Sequence, residues 1–314
     1  MIISASRRTD IPAFYTPWLM ERLRTGSVCV RNPFRPRQVS LVSLKPEDVD
    51  CIVFWTKNPA PLMPHLAEIE EMGFTFYFQF SLTPYDRTIE RSVPDRKVLV
   101  QTFRELAERV GAQRVVWRYD PIILSAELSV DRHVQLFAEL AAELRGSCER
   151  CMISFLDFYA KTKRNTKELE LLPISEQDMQ LLGQNLSAAA KACGIRVFTC
   201  CEQADLSRWG IGHGKCVDDE LIGSITGRPL ASAKDRNQRP ACGCVKSVDI
   251  GAYDTCLHQC LYCYANADHA KAAANWNDHD PRSPLLHGWV TPDDELVFRK
   301  EKKRLGSLFT ECSS

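Results

Sequence analysis

"DRKVLVQTFRELAERVGAQRVVWRYDPII", residues 95–123, divides into two periodicities. Its first seventeen residues carry the three-to-four spacing of an amphipathic helix and end at Gly111, where a left-handed cap would close the last turn. "RVVWRYDPII" that follows is short, nearly continuous in apolar character and bounded by polar residues, the pattern of a strand buried on both faces. The same strand texture recurs in "MIISAS", "DCIVFWT", "FTFYFQFSL", "RCMISFLDF" and "IRVFTC". Helical stretches separate them, among them "PAFYTPWLMERLRTG", "PAPLMPHLAEIEEMG", "SVDRHVQLFAELAAELRG" and "SEQDMQLLGQNLSAAAKACG", the last with a capping box expected from Ser175 and Asp178. Repeated strand–helix–strand units imply right-handed crossovers and a parallel sheet. An open doubly wound sheet and a full or partial (β/α) barrel both satisfy the alternation.

The chain of 314 residues is long enough for a sizeable core, and its 40 Lys plus Arg balance its 40 Asp plus Glu. No global field therefore attracts nucleic acid or an anionic membrane. No run reaches membrane-spanning length and "MIISASRRTD" is not a secretory leader, so a cytoplasmic protein is expected. Fourteen cysteines in a reducing compartment point to metal ligation or redox chemistry rather than disulfides. Nine of them lie from Cys200 onward. Residues 1–199 are expected to form the (β/α) core, residues 200–275 a cysteine-rich segment integral to it with one more strand in "KSVDIGAYD", and residues 276–314 a surface-wrapping tail. "GIGHG" at 210–214 reads as an ordinary loop and "RKEKKR" near the C-terminus as a solvated helix face.

Directly after "KSVDIGAYD" comes "CLHQCLYC", which places Cys256, Cys260 and Cys263 on one short loop. Three thiolates on such a loop suit three corners of an iron–sulfur cube, leaving one iron without a protein ligand. The competing reading is a structural zinc site with His258 as fourth ligand, although His258 is expected to face solvent. The C-x3-C-x-aromatic-C signature resembles that of the radical S-adenosylmethionine (radical SAM) superfamily, and "YCYA" resembles its spore photoproduct lyase-like branch. That resemblance implies a full or partial (β/α) barrel of about six or seven parallel strands, a [4Fe–4S] cluster on Cys256, Cys260 and Cys263, and S-adenosylmethionine chelated through its amino and carboxylate groups with Tyr262 near the adenine. It further implies reductive cleavage to methionine and a 5′-deoxyadenosyl radical, with an electron donor such as a flavodoxin or ferredoxin. Members usually carry the loop after the first strand, so its late position here reads as a permutation in which the last strand lies beside the first. The chain, from "SASRRTDIP" through "WTKNP" to "CGCVKSVDIGAYDTC", also resembles an uncharacterised bacterial family with this late motif, for which no substrate follows.

A second group, Cys200, Cys201, Cys216, Cys242 and Cys244, suits an auxiliary [4Fe–4S] cluster or a zinc ion. Neighbours on a strand point to opposite faces, so one of Cys200 and Cys201 is expected to be excluded, and Cys201, Cys216, Cys242 and Cys244 are the expected ligands. A cluster of reduced, unligated thiols is the plain alternative.

Active sites of parallel α/β barrels lie at the carboxyl ends of the strands, where this chain supplies polar residues repeatedly. If the permutation holds, Arg7 or Arg8 is expected to grip the S-adenosylmethionine carboxylate, and Asp10 or Glu202 to accept from its ribose; Asp10 would serve equally as an N-cap. Tyr119, Tyr159 and Asp120 are candidate catalytic groups, with Cys201 a further candidate for donating or accepting hydrogen. Two other functions fit parts of the pattern: a non-enzymatic protein with structural metal sites, and a nucleic-acid lesion lyase using the same radical chemistry, against which the neutral charge weighs.

Overall fold

A computed structural model of the chain describes residues 1–157, 160–230 and 232–298. The first half runs β1 (Ile2–Ala5), α1 (Ile11–Phe14), α2 (Thr16–Thr25), β2 (Ser27–Asn32), β3 (Arg35–Ser43), β4 (Cys51–Thr56), α3 (Leu66–Glu71), β5 (Phe76–Ser81), α4 (Arg96–Val110) and β6 (Val115–Ile122). The second runs α5 (Val130–Glu143), β7 (Arg150–Phe155), α6 (Ala160–Asn165), α7 (Glu176–Ala192), β8 (Arg196–Thr199), β9 (Gly212–His213), α8 (Asp219–Thr226), β10 (Val248–Asp249), α9 (His269–Asn277) and β11 (Glu295–Phe298). Local chemistry sets the long helices. Asp95 caps α4, Ser129 caps α5, and Ser175 with Asp178 forms the expected capping box on α7.

The main sheet has the order β10-β1-β4-β5-β6-β7-β8-β9, and every pair in it is parallel. Its two faces are covered differently. Ile3, Ile52, Phe54, Phe76, Phe78, Phe80, Trp117 and Ile153 pack under α2, α4, α5 and α7. The alternate residues, Ile2, Cys51, Val53, Tyr77, Val116 and Met152, meet instead Cys216, Val217, Leu221, Ile222, Cys242, Cys244 and Val245. Tyr77 Oη and Gln79 Nε2 both donate to the Cys216 carbonyl, at 2.6 and 2.8 Å, which satisfies a buried acceptor of this irregular segment. Period-two alternation thus sends the bulkier side chains to the helices and leaves the other face for the cysteine-rich connection.

The expected full or partial barrel is narrowed, because the sheet does not close. Among the described residues no hydrogen-bonded pair joins β9 to β10, so the sheet stays open. Both edge strands are two residues long, and the stretch from Cys216 to Val245 occupies the face that a closed eight-stranded barrel would fill with side chains alone. Eight strands form rather than six or seven, because Gly212–His213, in the stretch read as a loop, pairs with β8. A second sheet, order β11-β3-β2, is formed by an antiparallel hairpin and the parallel strand β11, which lies in the expected tail. "RKEKKR", residues 299–304, lies outside the described residues.

The late strand does stand beside the first. Ile3 and Ser4 of β1 face Val248 and Asp249 of β10, and Ile250 N donates to the Ser4 carbonyl at 3.0 Å. The Asp249 carboxylate accepts from Ser4 Oγ, Ser6 Oγ, Arg7 N and Gly251 N at 2.6–3.0 Å, binding both chain segments where they leave the sheet. Glycine is required at 251, since a Cβ there would meet Ser6 Oγ at 2.1 Å.

Candidate metal and cofactor site

The loop that follows β10 is closed by Asp254. Its N–H donates to the Ala265 carbonyl at 3.1 Å, and its carboxylate accepts from Ala267 N and, at 2.7 Å, from Lys271 Nζ. Asp254 and Gln259 both adopt left-handed backbone angles, which curl the segment between Cys256 and Cys260. Two outside anchors hold it. Leu261 N donates to Ile89 O and Ser92 N to His258 O, each at 3.0 Å, while His258 Nε2 meets Asp10 Oδ2 at 2.7 Å. His258 is therefore buried rather than solvent-facing, because its partner lies 248 residues away and comes near only in the fold.

Cys256, Cys260 and Cys263 all line one cavity of about 470 Å³ at the carboxyl ends of the strands. Burial pushes the Cys256 and Cys260 thiols up, so without a cation they stay protonated. Arg7, Arg8, Asp10, Trp55, Lys57, Arg118, Asp120 and Ser154 also line it. The Arg7 and Arg118 guanidinium carbons lie 5.3 and 5.1 Å from the Trp55 ring centroid, within cation–π range.

The second cysteine group reaches the same cavity. Cys200 Sγ and Cys216 Sγ stand 3.0 Å apart, and Arg118 Nη1 donates to Cys216 Sγ at 2.9 Å. Cys242, Cys244 and Cys201 line the cavity beside them, and Cys244 Sγ accepts from Val217 N at 3.4 Å. Hydrogen bonds from Cys216 and Cys242 lower the Cys244 thiol, with Arg7 adding to the effect. Among the described residues, no three His, Cys, Asp or Glu side chains in either group are centred for a single metal ion. Cys200, set aside on strand alternation, lies within the group because β8 ends at Thr199 and Cys201 turns to a left-handed angle, φ 60°.

The family model for a domain of unknown function, DUF1848, matches residues 2–265, from β1 through the third loop cysteine. The chain belongs to the DUF1848 family. No functionally curated protein matches it. Among solved structures, a candidate alpha-L-fucosidase from Bacteroides thetaiotaomicron is similar at 12% identity, covering 52% of this chain and 68% of that one, with a TM-score of 0.26, too low to carry an argument.

Other expected site residues of the DUF1848 chain divide by position. Tyr119 is turned away from the cavity: its hydroxyl meets His133 Nδ1 at 2.8 Å and its ring packs on Trp117 and Phe137 beneath the helices. Arg118 and Asp120, its strand neighbours, face the cavity instead and pair with each other, and Ser154 Oγ donates to Asp120. Tyr159 lies outside the described residues. Asp10 uses one oxygen to cap α1 through Ala13 N and the other to accept from Lys57 N and His258, an arrangement that holds the cysteine loop. Tyr262 donates to Glu90, which also accepts from Thr83 Oγ1 at 2.6 Å and Lys57 Nζ at 2.8 Å. Glu90 was not singled out in the sequence, where nothing marks it apart from other surface-type acids.

Glu202 does not line the cavity; it accepts from Phe155 N at 2.9 Å just behind it. Burial raises its carboxyl to about 7. A carboxyl whose folded value exceeds its unfolded one binds extra protons when folded, so stability is lost as pH rises from about 4.5 through 7. Glu202→Gln keeps an acceptor for Phe155 and removes that loss. We expect this variant to match the parent at pH 4 and to exceed it by about 1–2 kcal/mol at pH 8, on thermal denaturation at both values. Equal offsets at the two pH values would contradict the assignment.

Proposed function

We propose that the DUF1848 chain is a radical S-adenosylmethionine enzyme whose substrate enters the cavity at the carboxyl ends of the sheet. The observation that carries the proposal is that Cys256, Cys260 and Cys263, on one closed loop beside β1, line a cavity of about 470 Å³, within the range of cofactor sites. The donor set suits a [4Fe–4S] cluster. A cube offers each thiolate its own iron, so its ligands need not be centred on a single point. The loop also holds two buried polar atoms without hydrogen-bond partners among the described residues, Asn266 Oδ1 and His258 Nδ1.

When bound, the cluster would supply the electron that cleaves S-adenosylmethionine reductively to methionine and a 5′-deoxyadenosyl radical. The protein's task is then to hold and enclose. Asp10 fixes the cysteine loop through His258, and Glu90 fixes Tyr262, whose ring presents an apolar edge to the cavity. Arg7 is the better placed cation for a carboxylate: among the described residues its side chain has only the Ser247 hydroxyl at 3.4 Å as hydrogen-bond partner, whereas Arg8 is drawn to Gly251 O and Asp249. Asp120 and Cys201 remain on the wall for contact with substrate. The electron would come from an external donor of the flavodoxin or ferredoxin kind.

The test is electron paramagnetic resonance of anaerobically reconstituted, reduced protein with and without S-adenosylmethionine. A cluster signal whose g-values move on adding S-adenosylmethionine is expected. A signal indifferent to saturating S-adenosylmethionine would rule the proposal out.

A further inference from the structure

We propose that Cys200 and Cys216 form a redox-active dithiol on the cavity wall, one that exchanges with small carboxylate-bearing disulfides of the glutathione disulfide class. The proposal concerns this pair alone and does not rest on the radical reading. The two sulfurs stand 3.0 Å apart, about 1 Å beyond the length of a disulfide bond. Both residues line the cavity, Cys200 half-buried and Cys216 buried. Cys200 is therefore the thiol that an incoming disulfide can meet, and Cys216 the one that resolves the adduct from behind.

The approach of the two sulfurs is built into the backbone. Cys200 N donates to Ile153 O at 2.8 Å where β8 ends, and the Cys216 carbonyl is held by Tyr77 and Gln79. Between them Gly214 N donates to Thr199 O at 2.8 Å, and a Cβ at position 214 would meet Met152 Cε at 2.5 Å, so glycine lets the two stretches close. Arg118 reaches both sulfurs, with Nη1 at 2.9 Å from Cys216 Sγ and Nη2 at 3.7 Å from Cys200 Sγ. A guanidinium in that position favours the thiolate, which is the reacting form. Arg7 and Arg8 line the same cavity and suit the carboxylates of the incoming disulfide. In the exchange, the Cys200 thiolate attacks one sulfur of the small disulfide RSSR, forming a mixed disulfide and expelling RS⁻. The Cys216 thiolate then attacks Cys200 Sγ, closes the internal disulfide and expels the second RS⁻. The two leaving thiolates take up the two protons that the cysteines release, so the dithiol is oxidised, RSSR is reduced and two RSH are formed.

The test uses the full-length chain, reduced and washed with chelator, then equilibrated without oxygen in glutathione buffers of rising oxidised fraction. Free thiols are trapped by alkylation and the disulfides located by mass spectrometry of tryptic peptides, where cleavage after Lys215 separates the Cys200 and Cys216 peptides. The expected result is that the first internal disulfide to form joins Cys200 to Cys216 and is returned to the dithiol by dithiothreitol. Cys201→Ser is expected to leave that linkage in place, and Cys200→Ser to abolish it. The parent chain alone decides the matter, however the variants fold. A first linkage between other cysteines, Cys201 with Cys216 included, would overturn the proposal. So would a stable glutathione adduct on Cys200 with Cys216 still free, since a resolving thiol 3.0 Å away must displace it.

Discussion

Glu90→Ala is expected to cost about 3–5 kcal/mol of stability, because it leaves a buried cation without its counter-charge. Lys57 is 9% exposed and Glu90 3%, and their Nζ–Oε1 distance is 2.8 Å. The same carboxylate accepts from Thr83 and Tyr262, so one substitution orphans three buried donors. Burial alone would lower the Lys57 ammonium, and the attraction of Glu90 more than offsets that penalty, so removing Glu90 leaves the cost of burial unopposed. Thermal unfolding should register the loss as roughly 6–15 °C. Lys57→Met combined with Glu90→Leu should recover much of it, because removing both charges avoids the orphan. A drop of under 1 kcal/mol in Glu90→Ala would show that the network is not set as described.

Asp249→Ala is the second large effect. It removes the acceptor shared by Ser4, Ser6, Arg7 and Gly251 at the junction of β10 with β1. Hydrogen bonds to a charged acceptor are worth about 1.5–3 kcal/mol each and do not add fully, so a total of about 3–5 kcal/mol is expected. Since β10 is only two residues long, the damage should be local first. Amide exchange at Ile250 and proteolysis within residues 250–267 should accelerate well before global unfolding. Unchanged exchange at Ile250 would mean that the backbone ladder alone holds the cysteine loop.

Much of the frame was legible in the sequence. Continuous apolar strands alternating with capped helices imply a parallel sheet, and a late strand in "KSVDIGAYD" lying beside "MIISAS" matches the pairing of β10 with β1. Strand alternation was informative where it was applied within a strand and misleading beyond one. It would have separated Tyr119 from Arg118 and Asp120, which the structure does; it also set Cys200 apart from Cys201, where the strand has already ended and a left-handed residue resets the direction. Whether the sheet closes was not legible, because apolar runs do not reveal what fills the space between them, here the segment from Cys216 to Val245. The burial of His258 and the role of Glu90 depend on partners far away in sequence, Asp10 and Tyr262, and local pattern carries no trace of such pairs. β9, at two residues, is too short for any periodicity to show.

The central proposal concerns what the loop of Cys256, Cys260 and Cys263 does when loaded with iron and sulfide. The measurement that bears on it most directly is formation of 5′-deoxyadenosine by anaerobically reconstituted protein given S-adenosylmethionine and dithionite, with Cys260→Ala alongside. The expected result is 5′-deoxyadenosine from the parent and none above background from the variant. Parent protein with its full iron and sulfide content that forms no 5′-deoxyadenosine, with or without cell-extract metabolites as substrate, would contradict the radical reading.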